Sequence, residues 1–275
     1  MNNMKVLLNG SGLDKLIKIG SLSAKAPFIR KQSALAVAAC LIFPLNDAMA
    51  NIEGYDFPFS EAYSVIVDDG QNVTSTSNDP NNFSNMSNRP IFLWAKDGSF
   101  TLDIPGLVFY SPVFLQAGGN TAYTAPSTST VQQGQPASLN LQQIVAGVDH
   151  GRDRDPNLTI NVIGSKTGDV TFNARSISTW SEQTDYVSLY VDGGSPNNKN
   201  KTELNLTSYS LYIISSNVQA SIVVKNSASL NVGSGVSTSN GTSRLNFSKE
   251  NDRFLIENAR NVSFKGNLEF TNKVK

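Results

Sequence analysis

The sequence predicts an all-β chain wound as a right-handed parallel β-helix, and three observations predict it. A Leu-Asn-apolar triplet recurs from Leu139 onward, short segments between the triplets alternate apolar with polar residues, and no stretch keeps a helical period. The triplets are Leu139-Asn140-Leu141, Ile160-Asn161-Val162, Leu204-Asn205-Leu206, Leu230-Asn231-Val232 and Leu245-Asn246-Phe247, with Leu268-Glu269-Phe270 continuing the series. If the one long gap is taken as two steps, the spacing averages about 21.5 residues, a size that points to a solenoid. The alternating segments include Val170–Phe172, Val187–Val191, Ile222–Val224, Phe254–Ile256 and Val262–Phe264. Alternation implies one buried and one wet face. The alternative fold is an antiparallel β-sandwich, whose short strands also recur every 8–12 residues.

Four segments follow in order. Residues 1–50 read as an extended signal peptide. Arg30 and Lys31 precede an apolar run from Ala34 to Leu45, and Ala48-Met49-Ala50 supplies a small-residue cleavage site before Asn51. Twelve apolar residues are too few to span a bilayer. A second possibility is lipidation at Cys40 within Val37-Ala38-Ala39-Cys40, although the apolar run continues beyond that cysteine.

Residues 51–124 form an aromatic-rich region, with Phe92, Trp94, Phe100, Phe109 and Phe114 in short strand-like runs broken by Pro and Gly. Capping the first coil is the expected task of these aromatics, with a binding face as the alternative. The polar stretch Asn72–Arg89 reads as a mobile loop. Residues 125–138, rich in Ser, Thr, Gln and Pro, read as a linker. The solenoid is expected over residues 139–275, with at most a turn or two of helix at Gln142–Val148.

Composition narrows the function. Cleavage after Ala50 removes the single cysteine, so the exported part has no disulfide, thiolate metal site or cysteine nucleophile. Six of the 22 basic and two of the 22 acidic residues lie in the leader, leaving 16 against 20 and a net charge of −4. That balance argues against nucleic acid as a partner, which needs a basic footprint. Charged residues are 16% of the chain, below the ~25% of ordinary domains, so surface polarity rests on Asn, Ser, Thr and Gln.

The overlong leader ending at Ala48-Met49-Ala50, the cysteine-free exported chain, the coil-like series from Leu139 to Phe270 and the stretch Val170–Ile177 together resemble the N-terminal part of an autotransporter passenger, the type V secretion proteins of Gram-negative bacteria. The resemblance implies Sec-dependent export, a β-helical passenger at the cell surface or outside the cell, and adhesion to a host or surface glycan or protein ligand. An autotransporter also carries an outer-membrane translocator barrel. Residues 139–275 leave no room for one, so the expected translocator is absent from this chain: either the reading frame is truncated or the protein is secreted by another route, and it is expected in the periplasm where no translocator is available.

No catalytic motif is apparent, and no cofactor or metal is expected. The single histidine sits in Asp149-His150-Gly151-Arg152-Asp153, where Asp149, His150 and Asp153 form the candidate site of an alternative, a carbohydrate-active lyase or hydrolase on a β-helix. The Gly-Asp-Ser-Gly motif of serine-protease passengers does not occur, and the acidic spacing does not match a calcium loop. A solvated turn is the simpler reading of this run. Asp68-Asp69-Gly70 reads as a turn after the strand Val65–Val67, and Gly193–Asn198 as a loop protruding between coils.

Overall fold

A computed structural model describes residues 63–76, 91–104, 108–109, 113–122, 131–146, 157–179, 186–208, 211–213, 219–235, 242–247, 249 and 252–270. They form seven successive coils. Coil 1 contributes β1 (Tyr63–Val67) and β2 (Gln71–Thr76), and coil 2 contributes β3 (Ile91–Ala95), β4 (Gly98–Asp103) and β5 (Val108–Phe109). Coil 3 holds β6 (Val113–Gly118), β7 (Ala137–Leu141) and β8 (Gln143–Ala146), and coil 4 holds β9 (Leu158–Ile163), β10 (Val170–Ala174) and β11 (Ser176–Thr179). Coil 5 comprises β12 (Tyr186–Asp192), β13 (Thr202–Leu206) and β14 (Leu211–Ile213). Coil 6 comprises β15 (Gln219–Lys225), β16 (Ser229–Val232) and β17 (Thr242–Leu245), and coil 7 comprises β18 (Arg253–Glu257), β19 (Asn261–Phe264) and β20 (Asn267–Phe270).

Equivalent strands of successive coils hydrogen-bond into three parallel sheets. Sheet I runs β1-β3-β6-β9-β12-β15-β18, sheet II runs β2-β4-β7-β10-β13-β16-β19, and sheet III runs β5-β8-β11-β14-β17-β20. The result is a right-handed parallel β-helix, the hand that twisted parallel strands impose on their crossovers. Every pairing between these strands is parallel, which excludes the antiparallel sandwich. Strands of residues 63–118 belong to the same three sheets, so the coils begin well before Leu139.

The interior is a set of stacked columns, each a like-sized side chain above the next. Leu93, Leu115, Ile160, Leu189 and Ile222 stack on sheet I; Phe100, Leu139, Phe172, Leu204 and Leu230 stack on sheet II. All are at most 1% exposed, and each contributes roughly 1.5–3 kcal/mol by leaving water. The columns work because a parallel ladder places equivalent residues of neighbouring coils about 4.8 Å apart.

The spacing differs from the expected 21.5 residues. Asn140, Asn173, Asn205 and Asn231, which are true equivalents, lie 33, 32 and 26 residues apart. The shorter figure arose because the triplets belong to different sheets. Those at 139, 204 and 230 lie on sheet II, the one at 160 on sheet I, and those at 245 and 268 on sheet III. Coil length varies because the corners, not the strands, absorb extra residues. Two local expectations also change. Asn72–Thr76 is strand β2, not loop, and Gln143–Ala146 is strand β8, not helix. Asn72 and Thr74 point to solvent while Val73 packs on the core, so the alternation is present but its polar half dominates the composition.

The corner between sheets I and II is tight. The N–H of Gly164 donates to Asp192 O at 2.8 Å, that of Gly193 to Lys225 O at 3.1 Å, and that of Asn226 to Glu257 O at 3.0 Å. A Cβ on Gly193 would come 1.9 Å from Asn226 O, so coil stacking here demands glycine. The loop after it is drawn inward: Asn198 Nδ2 donates to Ser165 O and Gly193 O, and Asn200 Nδ2 to Ser165 O. Part of the expected linker is likewise anchored, since Val131 packs on sheet I and Gly134 bridges Ser165.

Candidate binding face

The three sheets differ in what covers their outer sides. Strands of sheet II alternate cleanly: β7, β10 and β13 each bury their first, third and fifth residues and leave the second and fourth half-exposed. On sheet I, all of β3 and β6 is buried, as is nearly all of β9 and β12. Those strands read as continuous apolar runs, the pattern of a strand covered on both faces. In the middle of sheet III, Ser178 and Val145 point outward yet stay within 8% exposure. Among the described residues, sheet II keeps the most open outer face, with at least one half-exposed or exposed outward position in every coil and Ser229 of coil 6 buried.

That face is organised by an asparagine ladder. Asn173 Nδ2 donates to Asn140 Oδ1 at 2.8 Å, Asn205 Nδ2 to Asn173 Oδ1 at 3.0 Å, and Asn231 Nδ2 to Asn205 Oδ1 at 2.8 Å. Thr101 and Asn261 extend it at the two ends, accepting from Asn140 and donating to Asn231. A carboxamide suits this position because it donates and accepts at once, so one residue type links indefinitely. A second column of Asn72, Ser99, Ser138 and Thr171 runs alongside, joined pairwise by Ser99 Oγ to Asn72 Oδ1 at 2.5 Å and Thr171 Oγ1 to Ser138 Oγ at 3.0 Å. The surface is hydrogen-bonding and sparsely charged: Glu203 continues the second column beyond Thr171, and Asp103 is exposed at the end of β4.

Where sheet II turns toward sheet III, the ladder borders a groove of about 540 Å³. Its side chains come from corresponding positions of three coils: Asn140 and Gln142, Asn173 and Arg175, Thr207 and Ser208. The backbone here is satisfied from coil to coil, with Arg175 N donating to Gln142 O, Thr207 N to Ala174 O and Ser208 N to Arg175 O. Gln142 is exposed, and its Nε2 donates to Asp103 Oδ1 at 2.7 Å. The Arg175 side chain is exposed and makes no hydrogen bond or ion pair among the described residues.

None of the family models, curated proteins or solved structures compared with this chain matches it.

Asp149, His150 and Asp153 lie outside the described residues, as do Cys40, Ala48, Ala50 and Asn51 of the leader. Among the described aromatics of this region, Phe92, Trp94 and Phe114 form no binding face, being at most 4% exposed on the outer side of sheet I. Phe92 and Phe114 stack at 4.7 Å, and Trp94 Nε1 donates to Gly118 O at 2.8 Å. The run at Asp68–Gly70 is a turn, with Asp69 and Gly70 at positive φ and Lys96 Nζ 2.8 Å from Asp68 Oδ2. Burial, then the carboxylates of Asp68 and Asp69, push the Asp97 carboxyl above its usual range. Among the described residues no cluster of three or more His, Cys, Asp or Glu is arranged to hold a metal, and no helix is long and apolar enough to cross a membrane.

Sequence reasoning missed Asn173, Arg175, Gln142, Thr207 and Ser208. The signal was present in a form the triplet obscured. Aligned on the ladder asparagine, Asn140-Leu-Gln142, Asn173-Ala-Arg175 and Asn205-Leu-Thr207 superpose, but Asn173 is flanked by Phe and Ala and escapes a Leu-Asn-apolar search.

Proposed function

We propose that this chain is an exported, autotransporter-type passenger segment that works in adhesion, binding surface ligands through the open face of sheet II and without catalysis. The single observation that carries the reading is the contrast between sheets. The outer face of sheet II stays wet and rich in paired amide and hydroxyl groups along the solenoid, while the outer side of sheet I is largely buried in coils 2 to 5. A surface of this kind offers many weak, spaced hydrogen bonds over a long contact. That suits attachment to extended polar ligands at a cell surface better than capture of a small molecule in a closed pocket. The leader, the absence of cysteine beyond residue 50 and the low charge support the exported setting.

The test is bead adhesion. Beads coated with the full chain, purified after export from a Gram-negative host, are expected to adhere to mucin-coated plates or epithelial monolayers. The variant Thr171→Lys/Asn205→Lys, which places two cations on the open face, is expected to lose most of that adhesion. Equal adhesion by the variant, or none by the parent protein, overturns the proposal.

A further inference from the structure

We infer that the groove at the corner of sheets II and III is a subsite for a carboxylate-bearing oligosaccharide, with Arg175 pairing with the sugar acid and the flanking amides and hydroxyls reading ring hydroxyls. The inference rests on the adhesion reading and names the ligand class for one part of that face.

Four properties of the groove select this ligand. Its volume, about 540 Å³, is far beyond what an inorganic anion fills. Its length follows the solenoid axis, with equivalent side chains from coils 3, 4 and 5 and Gly235 of coil 6 at its end, so it extends over roughly 14 Å at a coil rise of about 4.8 Å. A rod-like ligand with a short, regular repeat fits such a trough. Its walls offer amides and hydroxyls, groups that donate and accept as sugar hydroxyls do, and among the described residues its lining includes no aromatic ring or carboxylate.

Charge decides between neutral and acidic sugars. Among the described residues Arg175 is the only charged one lining the groove, and its guanidinium has no partner there. A planar guanidinium pairs with a carboxylate through two parallel N–H···O bonds, which fixes orientation as well as sign. Asn173, two residues before Arg175 on the same coil, donates one Nδ2 hydrogen to Asn140 and keeps its second for a ligand. The Oε1 of Gln142 is left as an acceptor because its amide nitrogen is engaged by Asp103. One cation amid neutral groups is not a nucleic-acid footprint, which needs several.

Titration calorimetry on the full chain tests this, with trigalacturonate and sialyllactose as acidic probes and maltotriose and lactose as their neutral counterparts. At least one acidic probe is expected to bind tenfold or more tightly than its neutral counterpart, and raising the salt is expected to shrink that preference. Trigalacturonate binding alone assigns a uronate, and sialyllactose binding alone assigns a sialate. Arg175→Gln is expected to abolish the preference while leaving the far-UV circular dichroism unchanged. Thr207→Glu, which sets a carboxylate in the groove from an exposed position, is expected to do the same. Equal binding of acidic and neutral probes, no binding of any probe, or an unchanged preference in both variants overturns the subsite. Bead adhesion that persists when no probe binds overturns the subsite alone and leaves the adhesion reading standing.

Discussion

At the scale of single residues, two positions show how stacking constrains chemistry. Asp97 sits at the corner of coil 2, beside the turn carboxylates of coil 1. Burial and the charges of Asp68 and Asp69 raise its folded-state pKa above 3.8, the value of the free group. The native state therefore holds this proton more tightly than the unfolded chain does. Stability from this group is fully present below pH 3.8 and is lost as pH rises through the raised folded value. Asp97→Asn is expected to be more stable than the parent protein at pH 7 and indistinguishable from it at pH 3, as read by urea unfolding at both values. Greater stability of the parent at pH 7 would show that the attraction of Lys96 outweighs the two repulsions. Gly193 marks the opposite limit, where geometry allows no side chain at all. A methyl there meets the carbonyl of Asn226, so Gly193→Ala is expected to cost about 1–3 kcal/mol in thermal or chemical unfolding.

At the scale of elements, the outer column of sheet II converts a sequence preference into a continuous network. Each ladder asparagine donates to the coil before it and accepts from the coil after it. The Asn173→Asp variant can still accept from Asn205 but cannot donate, and it faces the Oδ1 of Asn140 with a negative charge. Its cost is expected to be about 0.5–1.5 kcal/mol at pH 7, the worth of one ordinary hydrogen bond, and to shrink at pH 3 when the carboxyl regains a proton. Urea midpoints at the two pH values check this, and equal midpoints at pH 7 would make the ladder decorative. The same element view explains the aromatic group. In β3 the order Ile-Phe-Leu-Trp-Ala sends Leu93 inward and Phe92 and Trp94 outward, where they are nevertheless buried. A strand covered on both faces loses its alternation, so its pattern carries no mark of which side faces the solenoid interior.

For the whole molecule, stability is a sum over neighbouring coils, because each coil contacts chiefly the one before and the one after. Coils 3 to 5 have neighbours on both sides and bury their inward columns completely. In coil 7, Phe254, Val262, Phe264 and Leu268 are only half-buried, and Ile256 and Phe270 are 51% and 44% exposed despite lying in the interior columns of Val224 and Leu245. Phe247, Phe254 and Phe270 close this region as a triangle with centroids 5.9–6.2 Å apart. Native-state hydrogen exchange is therefore expected to protect amides of β9, β10, β12 and β13 most strongly and those of β18, β19 and β20 least. Uniform protection across the coils would mean that the solenoid opens as one unit.

The class of fold was legible in the residues alone, since parallel coils need only alternating short strands, turn residues between them and the absence of a helical period. The sequence also located most ladder asparagines, at 140, 205 and 231. It could not determine the coil period, because triplets from three different sheets look alike when only three residues are compared. Which side of each sheet is covered, and with it which polar residues form a surface, follows from the packing of coils and loops in three dimensions. Asn161 and Asn173 illustrate the reason. Both sit outside the apolar columns, yet Asn161 is fully buried on sheet I beside Gln116, while Asn173 is half-exposed on sheet II beside the groove. Alternation along a strand records which residues leave the interior. What they meet outside is set by segments distant in sequence, and no local pattern encodes it.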